Sequence, residues 1–82
     1  MVKRQVMFTF PENLIKEPVI YNLGVQFNVV TNVRRADITA EKGWVVLELE
    51  GEESDIEQGI FWATSKGVRV DPVSDNILES FE

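Results

Sequence analysis

The sequence predicts an α+β domain in which a four-stranded antiparallel sheet carries two helices on one face. Three observations lead there. Hydrophobic periodicity alternates between the strand period of about 2 and the helix period of about 3.6, in the order β-α-β-β-α-β. Glycine and proline fall at most of the switches. The chain has 82 residues against roughly 100–150 for a common domain, so one modest core is all it can build.

Each element has its own justification. In residues 3–10, Val6, Phe8 and Phe10 share one face and Met7 and Thr9 the other, which predicts a strand that Pro11 ends. After a polar connection, Pro18 opens a helix over 18–26, with Ile20, Leu23, Gly24 and Phe27 at helical spacing. Gly24 on the buried stripe lets this helix approach its support closely. Residues 27–40 return to strand chemistry, but the alternation slips between Val33 and Ile38, so a bulge is expected near Arg34–Ala36. Glu41-Lys42-Gly43 reads as a tight turn, with Gly43 free to take a positive φ. In residues 44–50, Val45, Leu47 and Leu49 face one side and Trp44, Val46, Glu48 and Glu50 the other; Gly51 closes the strand. Ser54-Asp55-Ile56-Glu57 has the form of a capping box, and Ile56, Gly59, Ile60 and Ala63 stripe a helix running through residue 66. Gly67 supplies a left-handed stop, and Val68, Val70 and Pro72 alternate as the last strand. Residues 1–73 thus form the domain and 74–82 a tail, in which Ile77, Leu78 and Phe81 are spaced for a short amphipathic turn. Split β-α-β units with right-handed crossovers give the strand order 4-1-3-2, leaving the second and fourth strands at the edges.

Composition removes whole classes of chemistry. With no cysteine there is no disulfide, thiolate metal site or cysteine nucleophile, and with no histidine the commonest metal ligand and general base are missing. No cofactor or metal is expected. Glu48, Glu50, Glu52, Glu53, Asp55 and Glu57 gather around a strand end and a helix start, where a solvated acidic cap is expected rather than an acid–base pair. The domain is therefore read as non-enzymatic. Residues 1–41 carry five basic and four acidic side chains, for +1, whereas 42–82 carry three and ten, for −7, so the net charge of −6 comes wholly from the second half. Nucleic acid is not an expected partner, because phosphate binding needs a basic stripe. No apolar run approaches the roughly 20 residues of a membrane span, and Met1–Gln5 leads into alternation rather than a signal-peptide core. No membrane association and a cytoplasmic location are the matching expectations.

Two features point to binding. The sheet face away from the helices carries Met7, Trp44 and Val46, an apolar surface suited to a partner, a ligand or the tail. Phe61 lies about half a turn from the buried stripe of its helix, whereas Trp62 sits at the stripe's edge and reads as core. Trp44, Phe61 and the acidic half form one candidate surface for a protein partner. The second strand is the other candidate. It is long, apolar and an edge, so its free amides and carbonyls invite another strand, either blunted by Arg34 and Arg35 or paired with a twin chain about a two-fold axis. Val29 and Thr31 are the expected interface positions there, and an Asn32 buried in such a seam would need partners from the twin or from a ligand.

The segments Phe8-Thr9-Phe10, Pro18-Val19-Ile20, Leu23, Phe27-Asn28-Val29, Thr31-Asn32-Val33, Leu49-Glu50-Gly51, Ile60 and Gly67-Val68-Arg69-Val70 together resemble the NIL domain family over residues 4–73. The family's Asn-Ile-Leu motif matches Asn32-Val33-Arg34, with Arg34 in place of the apolar third residue, and not Asn76-Ile77-Leu78 of the tail. The resemblance implies the ferredoxin-like fold. It also implies a regulatory role: such domains follow the ATPase of methionine-importing ABC transporters, pair as dimers and bind methionine, which inhibits uptake. Other members precede four-cysteine Fe–S modules in proteins of sulfur assimilation, and Val6-Met7-Phe8-Thr9-Phe10-Pro11 resembles that N-terminal kind. A stand-alone member or one domain of a longer protein is expected, with a transporter ATPase or an Fe–S module as associated partner. By the same resemblance a methionine-like amino acid would bind near Asn32, with Val30, Val33 and Ile38 cradling the thioether and Arg34 holding the carboxylate bidentately. The plain alternative is that Asn32 satisfies backbone groups at the bulge.

Overall fold

The structure is a computed structural model that describes residues 1–73. The expected tail, including the turn of Ile77, Leu78 and Phe81, lies outside the described residues. Strand β1 (Val2–Phe10) leads through a 3-10 turn (Glu12–Leu14) into helix α1 (Val19–Phe27). Strands β2 (Val30–Ile38) and β3 (Gly43–Gly51), helix α2 (Glu53–Lys66) and strand β4 (Arg69–Pro72) follow. The sheet is antiparallel with order β2-β3-β1-β4, which is the expected 4-1-3-2 order read from its other end. β2 and β4 are the edges.

One face of the sheet is dry. Val6, Phe8 and Phe10 of β1 pack with Val45, Leu47 and Leu49 of β3 beneath Val19 and Leu23 of α1 and Ile56 and Ala63 of α2. Phe8 is fully buried and meets Phe10 edge-to-face with ring centroids 6.1 Å apart. Leu23 lies over Gly59, where an added Cβ would stand 3.3 Å from its Cγ, so the two helices touch through a residue with no side chain. Gly24 plays the same part against the sheet: a Cβ there would stand 3.0 Å from the Val29 carbonyl oxygen, and that backbone atom has no rotamer to escape by. Gly24→Leu is therefore expected to destabilise the domain by about 1–3 kcal/mol, by overpacking. A lowered urea midpoint with an unchanged m-value would register it.

Local chemistry moved several boundaries. Asn28 adopts the left-handed conformation, φ 57°, and caps α1 through the Val29 amide on the Gly24 carbonyl. Asparagine tolerates that region because its short amide bonds locally. The helix therefore keeps Phe27, and β2 starts at Val30 rather than at 27. Gly43 is not a left-handed turn residue. The turn is instead held by Thr39, whose amide donates to the Lys42 carbonyl at 2.8 Å and whose hydroxyl accepts from the Glu41 and Lys42 amides. Gly43 already belongs to β3, and the Ile38 side chain lies where its Cβ would be, 3.1 Å away. The capping box does not form. α2 begins two residues earlier than that box requires, with Glu52 as its N-cap and no side-chain cap bond, while Glu53 and Asp55 place charge in the first turn. Gly67 ends the helix at φ 112°, as its position required.

Candidate functional site: the free β2 edge and its pocket

The register of β2 on β3 fixes where each side chain points. Val30 and Asn32 lie opposite Glu50 and Glu48, on the helix-free face. Thr31 and Val33 lie opposite Leu49 and Leu47, on the helix face. The register then shifts between Val33 and Arg35, and Arg34 has no partner on β3. One inserted residue reverses the parity of everything after it. Arg35 and Asp37 thus take the helix-free face with Val46 and Trp44, and Ala36 and Ile38 take the helix face with Val45 and Gly43. Without the bulge, Ile38 would share a face with Asn32.

The residues singled out from sequence are therefore split. Val30 (57% exposed) and Asn32 lie on one face of a monomer, and Val33 and Ile38 (55% exposed) on the other, with Arg34 exposed at the bulge between them. Asn32 is exposed rather than buried. Val29 belongs to the core, 5% exposed, so within this chain it presents almost no surface. Thr31 is half-buried, with its side chain near Gly24 of α1. Trp44, half-buried, and Val46, fully buried, lie on the helix-free face with Met7 between flanking strands. The side-chain amide oxygen of the neighbouring Gln5 (Oε1) is buried there with no hydrogen-bond partner among the described residues. Phe61 is 73% exposed on α2, and Trp62 is half-buried against Phe27, as their spacing implied.

Ile38 opens onto a feature that the sequence did not reveal. An apolar pocket of about 160 Å³ lies on the helix side at the end of β2. Phe10 ends β1 at its floor, Leu14 and Ile15 come from the 3-10 turn, Pro18, Ile20 and Tyr21 from the start of α1, and Ile38 and Val45 from the sheet. It exists because α1 does not cover the edge strand: Val33, Ile38 and Tyr21 all remain more than half exposed. Its one charged lining residue is Glu17, whose carboxylate is 3.9 Å from the Lys66 amine. Walls of carbon suit an aliphatic or thioether chain, and a cavity of roughly 150 Å³ lined by such side chains is enough for benzene. The pocket residues are scattered from Phe10 to Val45, each plausible as ordinary core, so only the three-dimensional path of the 3-10 turn past the strand end unites them.

Among the described residues no group of acidic side chains is placed to hold a metal ion. No helix among them is long and apolar enough to cross a membrane.

Comparison with known proteins gives the architecture relatives. The crystal structure of the C-terminal domain of an ABC transporter ATP-binding protein from Enterococcus faecalis superposes with a TM-score of 0.78 at 20% sequence identity, covering 88% of this chain and 84% of that one. The likeness is one of fold. No protein with a curated description matches the chain. The NIL domain family matches residues 4–72, which takes in both helices and all of the strands but the first two residues of β1, and the chain belongs to the NIL domain family.

Proposed function

We propose that this NIL domain is a non-enzymatic regulatory module that binds a methionine-like sulfur amino acid at the free edge of β2, as a homodimer. The observation that carries the reading is the apolar pocket at the end of an unpaired edge strand, with Ile38 in its wall. The thioether chain would enter the pocket beside the strand end, and Arg34 would meet the carboxylate. Family membership supports the regulatory role, and the origin of the superposed domain in an ABC transporter ATP-binding protein supports a link to transport.

A dimer would double the helix-face half of the site and leave Val30 and Asn32 on the other face. Two β2 strands paired antiparallel around the bulge keep their faces matched when Thr31 lies opposite Ile38, Val33 opposite Ala36 and Asn32 opposite Asp37 of the twin. That register brings the exposed Val33 and Ile38 of both copies onto one continuous surface. It also gathers Arg34 and Arg35 of both copies near the axis, where four guanidinium groups favour a carboxylate between them.

Isothermal titration with L-methionine tests the ligand, and sedimentation velocity with and without it tests the dimer. Saturable heat, together with a dimer strengthened by the amino acid, is the expected result. A silent titration with methionine, cysteine and homocysteine would remove the sulfur amino acid from the account.

A further inference from the structure

The outer face of α2 carries a second surface, separate from β2. Ser54, Glu57, Gln58, Phe61 and Ser65 fall on one exposed stripe of the helix, and with Trp62 and Phe27 they line an open groove of about 530 Å³. Its apolar wall is aromatic throughout. Phe27 and Trp62 pack with ring centroids 5.8 Å apart, and Phe61 stands beside them in solvent. A side chain so exposed contributes nothing to the core, and beside Phe27 and Trp62 it makes a contiguous aromatic patch rather than a lone exposed residue, the kind of surface that marks a partner site. The other wall is polar, formed by Ser54, Glu57, Gln58 and Ser65 with Glu57 its one carboxylate, and the acidic first turn of α2 adjoins it. Arg4 is 3.6 Å from Glu53, and the Lys66 amine lies 5.3 Å from the centroid of the Trp62 ring and turns toward Glu17. Glu52, Asp55 and Glu57 have no ion-pair partner among the described residues.

The charge selects the occupant. A second copy of this chain brings net charge −6 against an acidic face, and nucleic acid brings phosphates; both are repelled. We infer that the α2 groove docks a basic amphipathic segment of a partner protein, with an apolar side chain between Phe27, Phe61 and Trp62 and a lysine or arginine on Glu57. The aromatic cluster supplies the central contact and the carboxylates steer the encounter and set orientation. Such a surface gives a sensing domain an output face that does not compete with the β2 edge.

A dye-labelled amphipathic peptide of leucine and lysine, followed by fluorescence anisotropy, is the probe, with a leucine–glutamate peptide of the same pattern as its control. The expected result is saturable binding of the basic peptide alone, weakened about tenfold or more by Phe61→Ser and separately by Glu57→Lys, since truncation of a central aromatic commonly costs that much. Phe61 is exposed, so its replacement leaves the fold intact, which circular dichroism checks. Methionine titration of Phe61→Ser should match the unmodified protein; its failure in both would count against the β2 reading and not against this one. Equal binding by the two peptides, or basic-peptide affinity indifferent to Phe61→Ser, would overturn the proposal.

Discussion

Phe8→Ala is expected to remove about 3–5 kcal/mol of stability, the range for deleting a buried aromatic ring and leaving its cavity. Phe8 sits on the inner strand β1 between β3 and β4, is fully buried, and stacks edge-to-face on Phe10. Neighbours on both flanking strands and a helix above fix the walls, so the site cannot collapse to fill the hole. For a domain of this length the whole folding free energy is only about 4–12 kcal/mol. The variant should therefore lose much of its margin, with a urea midpoint lowered by about a quarter or more. A shift no larger than that of a surface substitution would mean that the dry face is not packed as described.

Ile38→Asp is expected to weaken ligand binding strongly while leaving the fold in place. Ile38 is more than half exposed, and exposed substitutions usually change stability little. Part of the side chain covers Gly43, so a loss below about 1 kcal/mol is anticipated. The functional effect is larger. An aspartate in the pocket wall sets a carboxylate against the thioether and adds to the negative charge of Glu17, so methionine affinity should fall at least about tenfold. The same change interrupts the apolar surface that a second β2 strand would bury, so the dimer should weaken in parallel. Calorimetry and sedimentation on one preparation read both. Retained methionine affinity in a folded Ile38→Asp protein would place the ligand elsewhere.

How much of this was legible in the sequence follows from the range of the forces involved. Alternation in β1 and β3 was readable because one face of each strand is dry, and a period-two pattern is what such burial leaves behind. The slip from Val33 to Ile38 announced the bulge for the same reason. Gly67 was readable because only its backbone tolerates the required φ. The capping box failed as a signal: the helix starts one residue before Ser54, and first-turn acids satisfy the dipole without the side-chain bond. The end of α1 was misplaced because Phe27 fits a strand and a helix equally, and Asn28 decided between them.

The candidate site was half legible. That β2 is an edge follows from connectivity alone. The faces of its residues did not follow until the bulge's parity was carried through, which moves Ile38 away from Asn32 and into the pocket. The pocket itself depends on how the 3-10 turn passes the strand end, and no local pattern in Leu14, Ile15 or Pro18 reports that distance. Phe61 was legible because a large apolar residue half a turn from a buried stripe has nowhere to go but solvent.

The most direct measurement is a two-dimensional amide NMR titration of the domain with L-methionine. The account predicts saturable shifts in residues 30–38 and in the pocket walls at Leu14, Ile20 and Tyr21, with residues 54–65 of α2 nearly still. Shifts confined to the helix-free face around Trp44 and Val46, or no shifts at millimolar amino acid, would contradict it.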